Sequence, residues 1–421
     1  MRLGREPTAA NLSTGSGGTA TWPLARAIAR DAAQDGPPAC RLPLEQTCGL
    51  RLAEDVRATQ DMPATDRSAM DGWAVSGPPP WRWAGDVSAA DPRLVSLSPG
   101  SAVRVATGSI VPTGTDSVVR AEDAMAAVDG TVCLRDGLGS GQVGAHIRHC
   151  GEEARTGELL VPAGSAITPP VLGLAAAAGR DDLLAFRRAR VHSLVMGDEL
   201  ITHGSPGRGR VRDALGPQLP SWIRALGGEE AGATRLSDGP DDLPNALHAI
   251  LCERDSAAVD VVITTGGTAH GPADHVRRTV ADLGGHWLIE RVAVRPGHPM
   301  CLARFDDGLF MVSLPGNPLA ACAALLTLVE PLVTALAHAE PREALPVAAA
   351  GDHPSSLGQH QLIPSTVRSG VAEALPQRGS AMLRGLAHAD GMLIIPPEGL
   401  RAGAAAELLP LPWAAESTWR R

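Results

Sequence analysis

Three short turns, each following a mostly apolar run, carry the residue types most able to do chemistry in this 421-residue chain. Gly197-Asp198-Glu199 follows Val191–Met196, Thr264-Thr265-Gly266-Gly267-Thr268 follows Val259–Ile263, and Pro315-Gly316-Asn317-Pro318 follows Leu309–Leu314. Ligands of open α/β sheets sit outside the carboxyl ends of the strands, so these turns form a candidate binding edge. Gly266 and Gly267, with Thr268, stand between a strand and a helix, where exposed backbone N–H groups and the helix dipole favour a phosphate. Gly316 would permit close approach, and Asn317 would cap the helix that follows. A tight connection or a plain helix cap needs the same residues, so no single turn identifies a site.

Charge gathers around the same turns. Asp198, Glu199, Asp238 and Asp274 are acidic, with Asp71 further away in the chain. Carboxylates beside a phosphate ligand point to Mg²⁺, a hard cation that prefers oxygen, and placement just after strand ends favours Glu199 and Asp274. The segment Arg291–Pro299 is the cationic counterpart. Arg291 and Arg295 offer planar forks that match tetrahedral oxyanions, and His298 adds an imidazole.

These turns need elements to position them. Apolar strands at 191–196, 259–263, 289–294 and 309–314 alternate with helices at 245–252, 274–283 and 317–336, which predicts a parallel, doubly wound sheet. Short strands with frequent Pro and Gly fill 51–143, and again 340–421, where a small β-barrel or sandwich is expected. A helix is predicted from Trp22 through Ala32 and another over Pro169–Gly179. Residues 1–21 lack apolar periodicity and read as a disordered tail. At 421 residues the chain needs two to four domains.

Composition excludes several classes. A formal net charge of −9 argues against a general nucleic-acid binder. No apolar run reads as long enough for a membrane span, and no signal-peptide pattern precedes the first helix, so a cytoplasmic protein is expected. Seven cysteines without CxxC or zinc spacing fit a reducing compartment. The sequence contains no lysine and no tyrosine, so every fixed positive side chain is an arginine.

From about residue 22 onward the chain resembles the MoeA family, the molybdopterin molybdenumtransferases, which include the catalytic E domain of gephyrin. The resemblance is carried by Ser68-Ala69-Met70-Asp71-Gly72-Trp73-Ala74, by Arg104-Val105-Ala106-Thr107-Gly108 with Pro112 and Asp116, and by Gly197-Asp198-Glu199-Leu200. It continues through Gly266-Gly267 with Gly271 and Asp274, Pro296-Gly297 with Pro299, Leu314-Pro315-Gly316-Asn317-Pro318, and Gly379-Ser380. It implies a discontinuous linker and dimerisation domain at 22–50 and 144–180, and a β-rich insertion domain at 51–143. A molybdopterin-binding α/β domain, similar to the adenylylating MogA/MoaB enzymes, would span 181–338, and a C-terminal β-barrel 339–421.

The resemblance also implies an activity. Molybdate would be inserted into adenylylated molybdopterin with Mg²⁺, releasing AMP and giving molybdenum cofactor. The protein would be a homodimer, with the adenylyltransferase and downstream molybdenum-cofactor enzymes as partners, and neither nucleic acid nor membrane. Asp71, Thr107, Glu199, Asp238 and Asp274 match acidic or hydroxyl functional positions, with Glu199 and Asp274 facing the metal. Arg291, Arg295 and His298 stand where the family has lysines, and Ser380 matches an oxyanion-contacting serine. With Pro299, these join Gly266, Gly267, Thr268, Gly316 and Asn317 as ligand-binding positions, while Asp71 and Thr107 would act across the dimer.

The chain departs from the family pattern at Met196, which replaces a small hydroxyl residue, and at Glu153, which replaces an aspartate. Ala269-His270 replaces Ser-Val, His298 replaces a lysine, and Pro364 occupies an arginine position in the barrel. These departures bear on molybdate affinity. The alternative they define is a paralogue of the same fold that serves as a binding or scaffold protein; a nucleotide-processing enzyme built on the α/β domain alone is a third reading.

Overall fold

A computed structural model describes residues 18–33, 36–87, 96–135, 142–252, 259–266, 275–356 and 358–414. The chain divides into two compact units. One comprises Cys40–Ala185, and the other runs up to Ala39 and resumes at Phe186.

The larger unit begins with a three-residue strand, β1 (Thr19–Thr21), and helix α1 (Trp22–Asp31). Its α/β layer then contains β2 (Arg190–Met196), α2 (Leu219–Ala225), β3 (Glu229–Leu236), α3 (Asp242–Cys252), β4 (Val261–Thr265) and α4 (His275–Asp282). It continues with β5 (Gly285–Ile289), β6 (Arg291–Arg295), β7 (Cys301–Phe305), β8 (Phe310–Leu314) and the helix α5 (Pro318–Leu336). The sheet order is β3-β2-β4-β8-β7-β5, with the first four strands parallel and the last two joined antiparallel. The predicted doubly wound sheet therefore forms, with an antiparallel edge.

Both faces of that sheet are covered, which is why its central strands are mostly apolar, with Ser193, Thr264, Thr265 and Ser313 as buried exceptions. Val191, Val195, Val261, Ile263, Val312 and Leu314 pack on one side with residues of α1 and α5. Leu194, Met196, Val262 and Met311 pack on the other with Leu243, Leu247, Val276 and Val280 of α3 and α4.

Helix α5 is long and apolar enough to cross a membrane by length and composition, contrary to the expectation that no run qualifies; 89% of its most apolar window is buried inside the protein, as in a core helix. Its middle, Leu325–Val329, is a π-turn. Pro331 cannot donate to the Thr327 carbonyl, and the helix widens where that bond is missing. The Thr327 hydroxyl donates to the Ala323 carbonyl (2.7 Å) and accepts from the Trp22 indole (3.0 Å), tying α1 to α5.

The C-terminal part of this unit contains β9 (Leu345–Ala349), β10 (His360–Arg368), β11 (Val371–Ala374), α6 (Arg384–Ala387), β12 (Gly391–Ile395) and β13 (Ala405–Pro410). The order β10-β11-β9-β13-β12 closes back onto β10, giving a five-stranded barrel. Val347, Ile363, Val367, Leu393, Ile395 and Leu408 fill its interior.

Two expectations are corrected here. The strand predicted at 289–294 is two strands. β5 ends at Ile289 in the α/β sheet, while β6 pairs with β1 and with β10 of the barrel. Periodicity reports an apolar face but not which sheet it joins. Thr19–Thr21, assigned to a disordered tail, pairs in parallel with Arg291–Ala293. Its order comes from that ladder, not from local pattern. Helix α1 buries Ala25, Ile28 and Ala29 in the core of the larger unit.

The smaller unit centres on a six-stranded sheet. Its order is Ala124–Ala126, Thr131–Leu134, Trp81–Val87, Ser101–Val105, Gly72–Val75 and Ser117–Arg120. Short two- and three-stranded sheets and the helix Pro169–Ala177 complete it.

Candidate active site

A cleft of about 620 Å³ lies within the larger unit, between the start of α5 and the barrel. That falls in the range of small-molecule and cofactor sites. Its walls include Arg295, His298, Pro299, Asn317 and Ser380, which the sequence placed in three separate motifs, together with Pro315. Gln361, His353 and Arg378 also line it and were not anticipated. Arg378 stood one residue before Gly379-Ser380 and was the one with a readable signal; no motif marked the other two.

Local structure explains how these residues meet. β6 delivers Arg295 beside Gln361 of β10, its register partner, and the Arg295 Nε donates to Gln359 Oε1 (2.9 Å). Gly297 must be glycine, since its φ is +110° and an added Cβ would lie 2.7 Å from Met300 and 3.1 Å from the Ala320 carbonyl oxygen. Arg291 is on the same strand but outside the cleft wall, four residues or about 13 Å from Arg295.

Asn317 occupies the N-cap position of α5, as predicted, but its side chain makes no capping bond. The backbone carbonyl of Ser380 does that work, accepting from the N–H groups of Leu319 (2.9 Å) and Ala320 (3.2 Å). The Asn317 side chain is thus not committed to the helix. Gly316 is exposed, and a Cβ there would meet the Gly266 Cα at an ordinary 3.7 Å. The protein's own packing does not require that glycine.

At the strand ends the acidic turns come together. The N–H of Asp198 donates to Asp238 Oδ2 (3.1 Å), which joins the turn after β2 to the turn after β3. Glu199 is exposed beside them, and Arg210 donates to the Asp198 carbonyl. The Gly266 N–H is already bonded to the Leu314 carbonyl (2.9 Å), so it is not a free phosphate donor. Gly267, Thr268 and Asp274 lie outside the described residues. Among the described residues no three His, Cys, Asp or Glu side chains form a metal cluster.

In the smaller unit, the Thr107 N–H (2.6 Å) and hydroxyl (2.9 Å) both donate to Asp71 Oδ1. These bonds, the amide first, hold the Asp71 carboxyl below its ordinary range. In the cleft, burial and then the charge of Arg378 lower the pKa of His353, with Asp352 opposing. The charged form of the His353 imidazole is thus disfavoured, and the fixed positive charge of the cleft wall is arginine.

A doubly wound sheet with carboxylates at its strand ends, beside an arginine-lined cleft against a closed barrel, has the architecture of an α/β enzyme with its cleft at the strand ends. Comparison with known proteins gives the family. Residues 22–179 match the profile "MoeA N-terminal region (domain I and II)", 193–335 match "Probable molybdopterin binding domain", and 346–411 match "MoeA C-terminal region (domain IV)". Molybdopterin molybdenumtransferase 2 of Mycobacterium tuberculosis is 32% identical over 394 residues, covering 88% of this chain and 95% of that one. Molybdopterin molybdenumtransferase of Synechococcus elongatus is 31% identical over 390 residues, covering 87% and 93%. The crystal structure of a molybdopterin biosynthesis MoeA protein from Pyrococcus horikosii superposes with a TM-score of 0.74 at 24% identity, covering 94% of this chain and 99% of that one. The chain belongs to the MoeA family of molybdopterin molybdenumtransferases.

Proposed function

We propose that this protein inserts molybdate into adenylylated molybdopterin, releasing AMP and producing molybdenum cofactor, in the cytoplasm. The observation that carries this reading is the convergence of Arg295, His298, Asn317 and Ser380 on one open cleft at the mouth of α5. Guanidinium and hydroxyl groups suit molybdate, a tetrahedral dianion. The cleft is open beside Arg295, which gives the scaffold reading no support.

Glu199 is exposed at the strand-end turn and offers carboxylate oxygens, the kind of donor that Mg²⁺ prefers. Glu199 and Asp274 would hold the ion, which when bound neutralises phosphate charge as AMP departs. Glu199→Gln is expected to raise the Mg²⁺ concentration needed for half-maximal turnover; an unchanged Mg²⁺ titration removes Glu199 from this role.

We further propose a homodimer in which Asp71 and Thr107 serve the partner's cleft, with the adenylyltransferase supplying substrate. Mixing inactive Asp71→Ala and Glu199→Ala chains should then restore about a quarter of wild-type activity, because half the dimers carry one intact site. No recovery on mixing rejects a shared site. The central test is complementation of a strain deficient in molybdate insertion at low molybdate, where well-folded protein that restores no molybdoenzyme activity overturns the function.

A further inference from the structure

We propose that Arg378 is the residue that fixes a tetrahedral oxyanion in this cleft, replacing a guanidinium that strand β10 cannot supply from position 364. The inference rests on the proposed function and deepens it, assigning an anion-selecting residue to the same site.

Pro364 lies in β10, opposite Met392 of β12, and is buried. It is absent from the cleft wall, although Gln361, Leu362 and Ile363 line it. The Pro364 carbonyl accepts from the Leu375 N–H (2.9 Å), and its Cβ lies 3.6 Å from where a side chain at Gly385 would begin. Position 364 is therefore enclosed between α6 and the segment leading from β11 to α6. That same segment carries Arg378 and Ser380 to the cleft wall.

The segment is pinned at three points. Leu375 is tied to Pro364, the Ser380 carbonyl holds the first N–H groups of α5, and Gln377 packs against Gly385. An added Cβ at Gly385 would stand 2.2 Å from the Gln377 carbonyl oxygen, so the close packing depends on glycine. Its turn is closed by the Met382 N–H donating to the Gly379 carbonyl (2.8 Å). Arg378 is thus presented from a fixed backbone with an exposed side chain.

Arg378 makes no ion pair with any described carboxylate, in contrast to Arg26, Arg187, Arg277 and Arg342 of the same unit. Its charge is felt at His353 across the wall. Arg295 supplies a second guanidinium, positioned through its Nε by Gln359. Two guanidinium groups and a serine match the charge and the hydrogen-bond capacity of a tetrahedral dianion.

The test is calorimetric titration of the full-length protein with molybdate, with phosphate as a second probe. Arg378→Gln should weaken molybdate binding by about tenfold or more, equivalent to about 1.4 kcal/mol, and flatten its salt dependence. Arg278→Gln, on the exposed face of α4, should bind as wild type. Arg378→Ala repeats the measurement should the glutamine variant fail to fold. Wild-type affinity in a folded Arg378 variant overturns the inference while leaving the proposed function standing. Phosphate binding that depends on Arg378, without any molybdate binding, supports the arginine's role and overturns the molybdate reading. A wild-type protein that binds neither anion overturns both.

Discussion

At the scale of single residues, the site is built from side chains whose other obligations are already met. Asp71 shows this most directly, because both Thr107 donors fall on one oxygen and leave the second available. Thr107→Val removes the hydroxyl bond while retaining the amide, so the Asp71 pKa should rise part of the way back to the ordinary carboxylate range. The pair contributes stability above that range and loses it as pH falls through the depressed folded value. Carboxyl NMR titration checks this, and an Asp71 titration unmoved by the substitution would show that the hydroxyl bond has no influence. Asn317 and Ser380 divide their work similarly, the serine carbonyl capping α5 and the asparagine side chain lining the cleft. Cys322, buried in α5 with its thiol pushed up to about 12, stays protonated and belongs to the packing.

At the scale of elements, α5 joins the core to the site. Glu330, 1% exposed, sits between Arg26 of α1 (3.6 Å) and Arg342 beyond the helix (2.8 Å), and it also accepts from the Arg342 N–H (3.2 Å). Burial lowers the pKa of both arginines, and Glu330 opposes that shift. Glu330→Ala would leave two arginines facing a void, with an expected loss of about 3–5 kcal/mol in chemical denaturation. A loss below 1 kcal/mol would mean that water or rearrangement satisfies them. The segment before α6 makes a different prediction. Gly385→Ala touches no ligand, yet the added carbon must displace Gln377, so molybdate affinity should fall together with that of the Arg378 variants. Unaltered affinity would show that the position of this segment does not set the anion site.

At the scale of the whole molecule, the two compact units have separate cores. Trp81, 1% exposed, anchors one core of the smaller unit, whereas α5 and the central strands fill that of the larger. Calorimetry should resolve Trp81→Ala as a loss of about 3–5 kcal/mol from one transition, with the other unmoved. A single transition that shifts as a whole would show the units to unfold together.

The sequence by itself determined the doubly wound sheet, since central strands covered on both faces must be mostly apolar, and Val191–Met196, Val259–Ile263 and Leu309–Leu314 are. It also determined the family, through ordered motifs at Asp71, Thr107, Glu199, Asn317 and Ser380, and marked the turns that hold carboxylates. It could not assign Arg291–Arg295 to the barrel, order Thr19–Thr21, or place Trp22–Asp31 in the larger core, because those outcomes depend on ladders and packing between distant segments. Nor did it separate Arg295 from Arg291, two arginines on one strand of which one reaches the cleft. The anion site turns on the same distinction. A proline buried in β10 and an arginine on the segment packed over it read in sequence as a lost charge and a surface residue, and only the closed barrel brings that arginine to the cleft wall.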